Sequence, residues 1–259
     1  MLLGCSATKS PYKVSNKSYK KQAQEFSKTL SAQPLEEPND TIKAPGEWVG
    51  TTNFGMRRPN FVIIHHTAQN SCDQTLKTFT LASTQVSAHY VICRDGTVHH
   101  MLNDYLRAWH AGNSKWGRDV DINSASIGIE IDNNGFEPFS DAQINSLLSV
   151  LAKLKKSYNI PVANFIGHSD IAPGRKVDPS KYFPWQKLSQ QGFGLWYDTA
   201  NVQLPVGFDS LQALRIIGYD IKNPAAAISS FKLHYVNSDT TKSITEGEKK
   251  ILYDLMRKS

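Results

Sequence analysis

The stretch FVIIH, residues 61–65, is a short run rich in β-branched and aromatic residues that follows Pro59-Asn60 and ends on a histidine. Such a composition, bounded by turn formers, predicts a β-strand. AHYVIC (88–93), GTVHHM (96–101) and SIGIEI (126–131) share the pattern. Between them, residues 73–83 have helical character, and 141–157 carry the clearest helical signature in the chain. There Ser140 and Gln143 form an S-x-x-Q capping box, and Ile144, Leu147, Leu148 and Leu151 recur on one face. Strands separated by helices imply an α/β domain with one central sheet flanked by helices.

Beyond this domain the composition changes on both sides. Residues 6 to about 45 show no sustained period and end in EEPNDTIKAPGEW, which reads as linker. After FGLWYD three short helical patterns follow. Asp209 can cap the first, which carries Leu211, Leu214 and Ile217 before Gly218. Asn223-Pro224 opens the second, with Ile228, Phe231 and Tyr235 as its face, and Thr245 with Glu248 caps the third, with Ile251, Leu252 and Leu255. The expected organisation is a tether over 1–45, a catalytic domain over 46–199 and, over 200–259, a small three-helix domain that resembles a peptidoglycan-binding domain or else serves packing alone.

A chain of 259 residues has room for this arrangement, and no stretch approaches the roughly 20 apolar residues that cross a bilayer. The net charge of +6 owes much to Lys9, Lys13, Lys17, Lys20, Lys21 and Lys28. With only two tyrosines and Phe26 interleaved, that segment reads as a solvated, disordered tether rather than a nucleic-acid arm, and no nucleic acid is expected as a partner. Leu2-Leu3-Gly4-Cys5 resembles the lipobox cut by bacterial lipoprotein signal peptidase, although the basic and apolar regions that normally precede it are not in the sequence. If Cys5 carries lipid, Cys72 and Cys93 are left as a candidate pair in an oxidising compartment.

The chemistry-bearing residues concentrate in GHSDIAPGRKVDPS, residues 167–180. Pro173 and Pro179 restrict the backbone there, so His168 and Asp178 are expected on a rigid, non-helical loop. A catalytic zinc site needs neutral imidazoles and a carboxylate or thiolate with one position left open. His65 at the end of its strand, with His168 and Asp178 from the loop, would meet that need. Spacing alone does not select them, because the chain holds eight histidines and neither HExxH nor CxxC.

FVIIHHTA (61–68), VSAHYVICRDG (86–96), AWHAG (108–112), SIGIEIDNNG (126–135) and GHSDIAPGRKVDPSKYFPW (167–185) occur in the order of similar segments in the type 2 N-acetylmuramoyl-L-alanine amidases. The chain resembles that family over roughly residues 58–200. The resemblance implies a mixed central sheet and a Zn2+ cofactor held by His65, His168 and Asp178. It also implies Glu130 as the general base and acid, and Lys176 as the group that steadies the oxyanion. The substrates would be peptidoglycan and muropeptides, cut at the amide between N-acetylmuramic acid and L-alanine. Trp109, His110 and His89 are candidates for substrate binding, while His66, His99, His100 and His234 read as non-ligands and Asp170 as an acceptor that organises the loop. Ser180 stands where the family usually has glycine.

With the lipobox and the C-terminal helices, the expected location is the periplasmic face of a bacterial outer membrane, through a lipid on Cys5. Two readings compete with it. One is a cytosolic enzyme that recycles anhydro-muropeptides. The other is a non-catalytic module like the peptidoglycan recognition proteins, some of which have lost the zinc; here the whole ligand set is present.

Overall fold

The computed structural model describes residues 10–31, 49, 51–239 and 241–259, in two compact units divided after Met56. Cys5 lies outside the described residues. In the first unit, α1 (Lys13–Ser31) replaces the expected unstructured tether. The run contains no proline or glycine and is rich in Lys, with two Gln, both good helix formers. Side-chain pairs one turn apart, Gln22 on Ser18 and Lys21 with Glu25, add to it. None of its residues is buried, so no apolar face marks it in the sequence.

The second unit, Arg57–Ser259, is built on a sheet of β1 (Phe61–His66), β2 (Tyr90–Ile92), β3 (Val98–His100), β4 (Ser126–Ile131) and β5 (Phe165–Gly167). The strands lie in the order β3-β2-β4-β1-β5. β1 runs parallel to β4 and β5, β2 runs parallel to β4, and β3 is antiparallel to β2, which makes the sheet mixed. Its helices are α2 (Cys72–Thr80), α3 (Ile122–Ala125), α4 (Asp141–Tyr158), α5 (His168–Ile171), α6 (Trp185–Gln190), α7 (Ser210–Ile217), α8 (Pro224–Tyr235) and α9 (Glu246–Lys258).

Both faces of the central strands are covered, which explains why β1 is apolar without alternation. Period two still sorts its side chains. Val62 and Ile64 join Ile127, Ile129, Ile131 and Phe165 beneath α4, which is held by the Ser140–Gln143 capping box. Phe61 and Ile63 point the other way, into a core with Ile166, Ile171, Leu214, Phe231, Leu252 and Leu255. α7, α8 and α9 form with the expected caps: Asp209 accepts from Leu211 and Gln212, Asn223 accepts from Ala226, and Thr245 with Glu248 makes a second capping box. These helices share one core with the sheet. The change of composition near residue 200 is therefore a change of element type, with no break in the packing.

The loop 167–180 departs from expectation at its start. One turn of helix, α5, fits ahead of Pro173, because Asp170 accepts the Gly167 N–H and satisfies the first turn. Cys72 and Cys93 are joined by a disulfide that ties the start of α2 to the end of β2. His99 lies within ligand distance of both sulfurs, which are already consumed by the bond.

Candidate active site

Register brings the site together. His65 lies directly opposite Glu130 across the β1–β4 pairing, and Ile64 lies opposite Gly167 across β1–β5, so His168 follows at the same level. Three neighbouring parallel strands thus deliver their chemistry at their carboxyl ends, where open α/β sheets place their ligand sites. Asp178 enters from the loop, anchored by the Ser169 N–H, which donates to the Asp178 carbonyl at 2.8 Å.

His65 Nδ1 and His168 Nδ1 are 2.9 Å apart, and Asp178 Oδ2 lies 3.0 Å from each. The hydrogen bonds behind the rings fix what those atoms offer. The single hydroxyl proton of Ser126 goes to the Ile122 carbonyl at 2.6 Å, so Ser126 Oγ accepts from His110 Nε2–H at 3.1 Å. His110 Nδ1 is then an acceptor, and His65 Nε2–H donates to it at 3.0 Å. On the other ligand, His168 Nε2–H donates to the Ala111 carbonyl at 3.1 Å. Both Nδ1 atoms are therefore left with lone pairs aimed at each other and at a carboxylate. A bound cation would reconcile three converging acceptors. Their spacing is close to the separation of about 3.3 Å that a tetrahedral ion at about 2.0 Å from each donor requires. The residues fit a zinc ion, which His65, His168 and Asp178 would hold.

The electrostatics follow from burial. His65 is pushed down to about 4 by desolvation and by His168, and His110 falls well below its ordinary value for the same reasons, with His65 as its neighbour. Both rings stay neutral, as ligands and ligand supports must. Glu130 goes the other way, up to about 8, through burial and the nearby Asp178, against a smaller opposing pull from Lys176. Its Oε2 is shut off from solvent without a hydrogen-bond partner. A carboxylate in that state can both take and return a proton near neutral pH.

These groups line one cavity of about 350 Å³, with Lys176, Arg175 and Trp109 at its wall and Thr75, Thr78 and Phe79 of α2 facing them. Trp109 is 53% exposed, so its ring is available to a ligand. His110 and His89 are not. His110 is consumed in orienting His65, as described above. His89 is fully buried and does not line the cavity: its Nδ1 accepts from Gly128 N–H, and its Nε2 donates to the Leu106 carbonyl. The expectation that His89 binds substrate is corrected to support of the site, whereas His110 lines the cavity with both its ring nitrogens engaged. His66 accepts from the Ser180 N–H through Nδ1, which places Ser180 in a role its backbone alone performs. His234 and Asp170 lie apart from the three converging donors, as non-ligands.

Sequence reading missed several supports. Asn123 Oδ1 accepts from both His110 N–H and Ala111 N–H and so fixes the segment that touches both His65 and His168. Ser126 ends the proton chain behind His65. Gly128 has a steric reason: a Cβ there would lie 2.4 Å from His110 Cγ. None carries a spacing signal. The glycine inside a strand pattern was the one visible hint of a close approach.

Comparison with known proteins bears on the family and the fold. Residues 55–181 match the family described as N-acetylmuramoyl-L-alanine amidase. N-acetylmuramoyl-L-alanine amidase AmiD of Escherichia coli is 34% identical over 210 residues, covering 69% of this chain and 75% of the relative. The 1,6-anhydro-N-acetylmuramyl-L-alanine amidase AmpD of Haemophilus influenzae is 41% identical over 104 residues, covering 40% of this chain and 56% of its own. Among solved structures, that of the E. coli AmiD in complex with anhydro-N-acetylmuramic acid-L-Ala-D-gamma-Glu-L-Lys superposes with a TM-score of 0.70 at 29% identity, over 81% of this chain and 93% of the other. AMPDH3 from Pseudomonas aeruginosa gives 0.71 at 29% identity, over 86% and 98%. A mixed sheet with its chemistry at the carboxyl ends of three parallel strands and relatives that share it over most of their length lead to one statement: the chain belongs to the type 2 N-acetylmuramoyl-L-alanine amidase family.

Proposed function

We propose that this chain is a zinc-dependent amidase that cleaves the bond between the lactyl group of N-acetylmuramic acid, or its anhydro form, and the L-alanine of peptidoglycan and muropeptides. The observation that carries the reading is the set of three converging acceptors beside Glu130, whose Oε2 is buried without a hydrogen-bond partner. Zinc bound there would supply Lewis acidity and bring the pKa of a bound water toward 7. Glu130 accepts a proton from the attacking water, the carbonyl carbon gains the new C–O bond, and the C–N bond breaks as Glu130 returns the proton to the departing amine of L-alanine. Lys176, half-buried at the cavity wall, steadies the negative charge on the former carbonyl oxygen. Trp109 offers its exposed ring to the sugar.

The enzyme is further proposed to work on the periplasmic side of an outer membrane, anchored by lipid on Cys5. The Cys72–Cys93 disulfide supports an oxidising compartment over the cytosol. Among the described residues no helix is long and apolar enough to cross a membrane.

The test is digestion of purified sacculi and of defined anhydro- and reducing-end muropeptides by the zinc-loaded protein, with the new ends identified by mass spectrometry. Free L-alanine amino termini and intact muramic acid are expected, and a strong chelator should abolish their formation. Unchanged activity in protein freed of transition metal would overturn the mechanism. Labelled lipid should be incorporated when the protein is expressed from its native start, and not by Cys5→Ala.

A further inference from the structure

Asp170, fully buried in α5 two residues after His168, draws three separate parts of the chain onto one carboxylate. The Gly167 N–H, at the end of β5 and next to His168, donates to Oδ2 at 2.8 Å. The Tyr219 hydroxyl, just beyond α7, donates to Oδ1 at 2.7 Å. His234 of α8 donates through Nδ1 to Oδ2 at 2.7 Å. The His234 ring is fixed in turn, stacked with Trp185 at 3.9 Å and 17° and with Tyr235 at 4.0 Å and 12°. Its Nε2 has no hydrogen-bond partner, so Asp170 is the only polar anchor of the ring among the described residues.

A buried carboxylate is tolerated when its oxygens are hydrogen-bonded, and moving it then breaks several bonds at once. Asp170 is therefore a fixed point, and the direction in which the chain leaves β5 at Gly167 is set by it. That direction helps decide where His168 Nδ1 points, from the backbone side, while the Ala111 carbonyl holds the ring from Nε2. We propose that Tyr219 and His234 are positioning residues of the hydrolytic site: by holding Asp170 they orient His168, and the C-terminal helices serve as scaffold for the metal centre. The inference rests on the reading of His65, His168 and Asp178 as that centre.

The test uses the full chain and its variants Tyr219→Phe, His234→Leu and His234→Asn, each loaded with Co2+ in place of zinc. Visible absorption reports ligand geometry, chelator competition reports affinity, and turnover of a defined muropeptide separates kcat from KM. Tyr219→Phe and His234→Leu should shift the cobalt bands, weaken metal binding about tenfold and lower kcat with little change in KM. His234→Asn can still present an N–H near the Nδ1 position, and it should recover most of the affinity. Variants that lose stability while keeping the wild-type cobalt spectrum, affinity and kcat would show a packing role and overturn the proposal. If His234→Leu does not fold, Tyr219→Phe, which removes a single oxygen, decides the matter alone. A wild-type chain that binds no Co2+ would defeat the metal-site reading itself, a result distinguishable from the variants matching a wild type that binds it.

Discussion

The two faces of the sheet are built differently. Beneath α4, the buried side chains from β1, β4 and β5 are aliphatic or aromatic: Val62, Ile64, Ile127, Ile129, Ile131 and Phe165. The opposite face begins the same way, with Phe61 and Ile63, but toward the carboxyl ends of the strands it passes into His65, His110, His168 and Asp170. The C-terminal helices on that side also bury charge, with Lys232 held between Asp239 and Glu248. One side stores stability in contacts that tolerate approximate fit. The other depends on hydrogen bonds whose direction matters, so changes there should register in metal binding and rate before they register in folding.

Substitutions on each face should separate these roles. The largest effect is expected at the reacting atoms. Glu130→Gln keeps the shape of the side chain and should retain zinc while losing about 10³-fold in turnover; near wild-type turnover by metal-loaded Glu130→Gln would remove it from the mechanism. His168→Ala and Asp178→Ala should instead lose metal and rate together, read by metal analysis beside kinetics.

On the α4 face, Leu151 is fully buried, and Leu151→Ala should cost about 4 kcal/mol in urea unfolding. Zinc affinity and kcat of the folded fraction should be unchanged. A matching loss of metal affinity would erase the distinction between the faces.

Acid should act through the polar side. His89 is pushed down to about 4, chiefly by burial, with the neighbouring Arg57 adding to it. Its unfolded form binds a proton near 6.5, so the unfolded state holds more protons between about 4 and 6.5. The stability it contributes is complete above 6.5 and lost as pH falls through 4. Relative to His89→Gln, the wild type should therefore lose up to about 3 kcal/mol between pH 7 and pH 4. Urea midpoints that stay parallel over that range would contradict it. The smallest effect is expected at Ser126. Ser126→Ala removes the acceptor that fixes the His110 tautomer and should weaken zinc binding by about tenfold, with unfolding little changed.

The sequence made the apolar face easier to read than the polar one. β4 was legible over Ser126–Ile131, and β1 needed only His66 added, because β-branched runs bounded by turns leave few alternatives. α4 and the last three helices announced themselves through caps that the structure uses. β5 was missed because Phe165–Gly167 is too short for any period and is a strand only by pairing with β1. α1 was missed because its residues bury nothing. At the site, His65, Glu130, His168, Lys176 and Asp178 were picked out by resemblance, since spacing did not distinguish them from other histidines and charges. Ser126, Asn123, Tyr219 and His234 act through contacts between distant segments, and a linear pattern does not display those.

Gly128 also bears on how such an enzyme could be improved. Glycine in the interior of a strand ordinarily lowers stability by roughly 0.5–1 kcal/mol relative to alanine, which makes it an obvious target for thermostabilisation. Here the space above it is taken by the His110 ring. A side chain at this position would have to displace the ring and break its hydrogen bonds with His65 and Ser126, so the replacement that strand propensity alone recommends would cost heat tolerance and catalysis together, and a screen for either would return glycine.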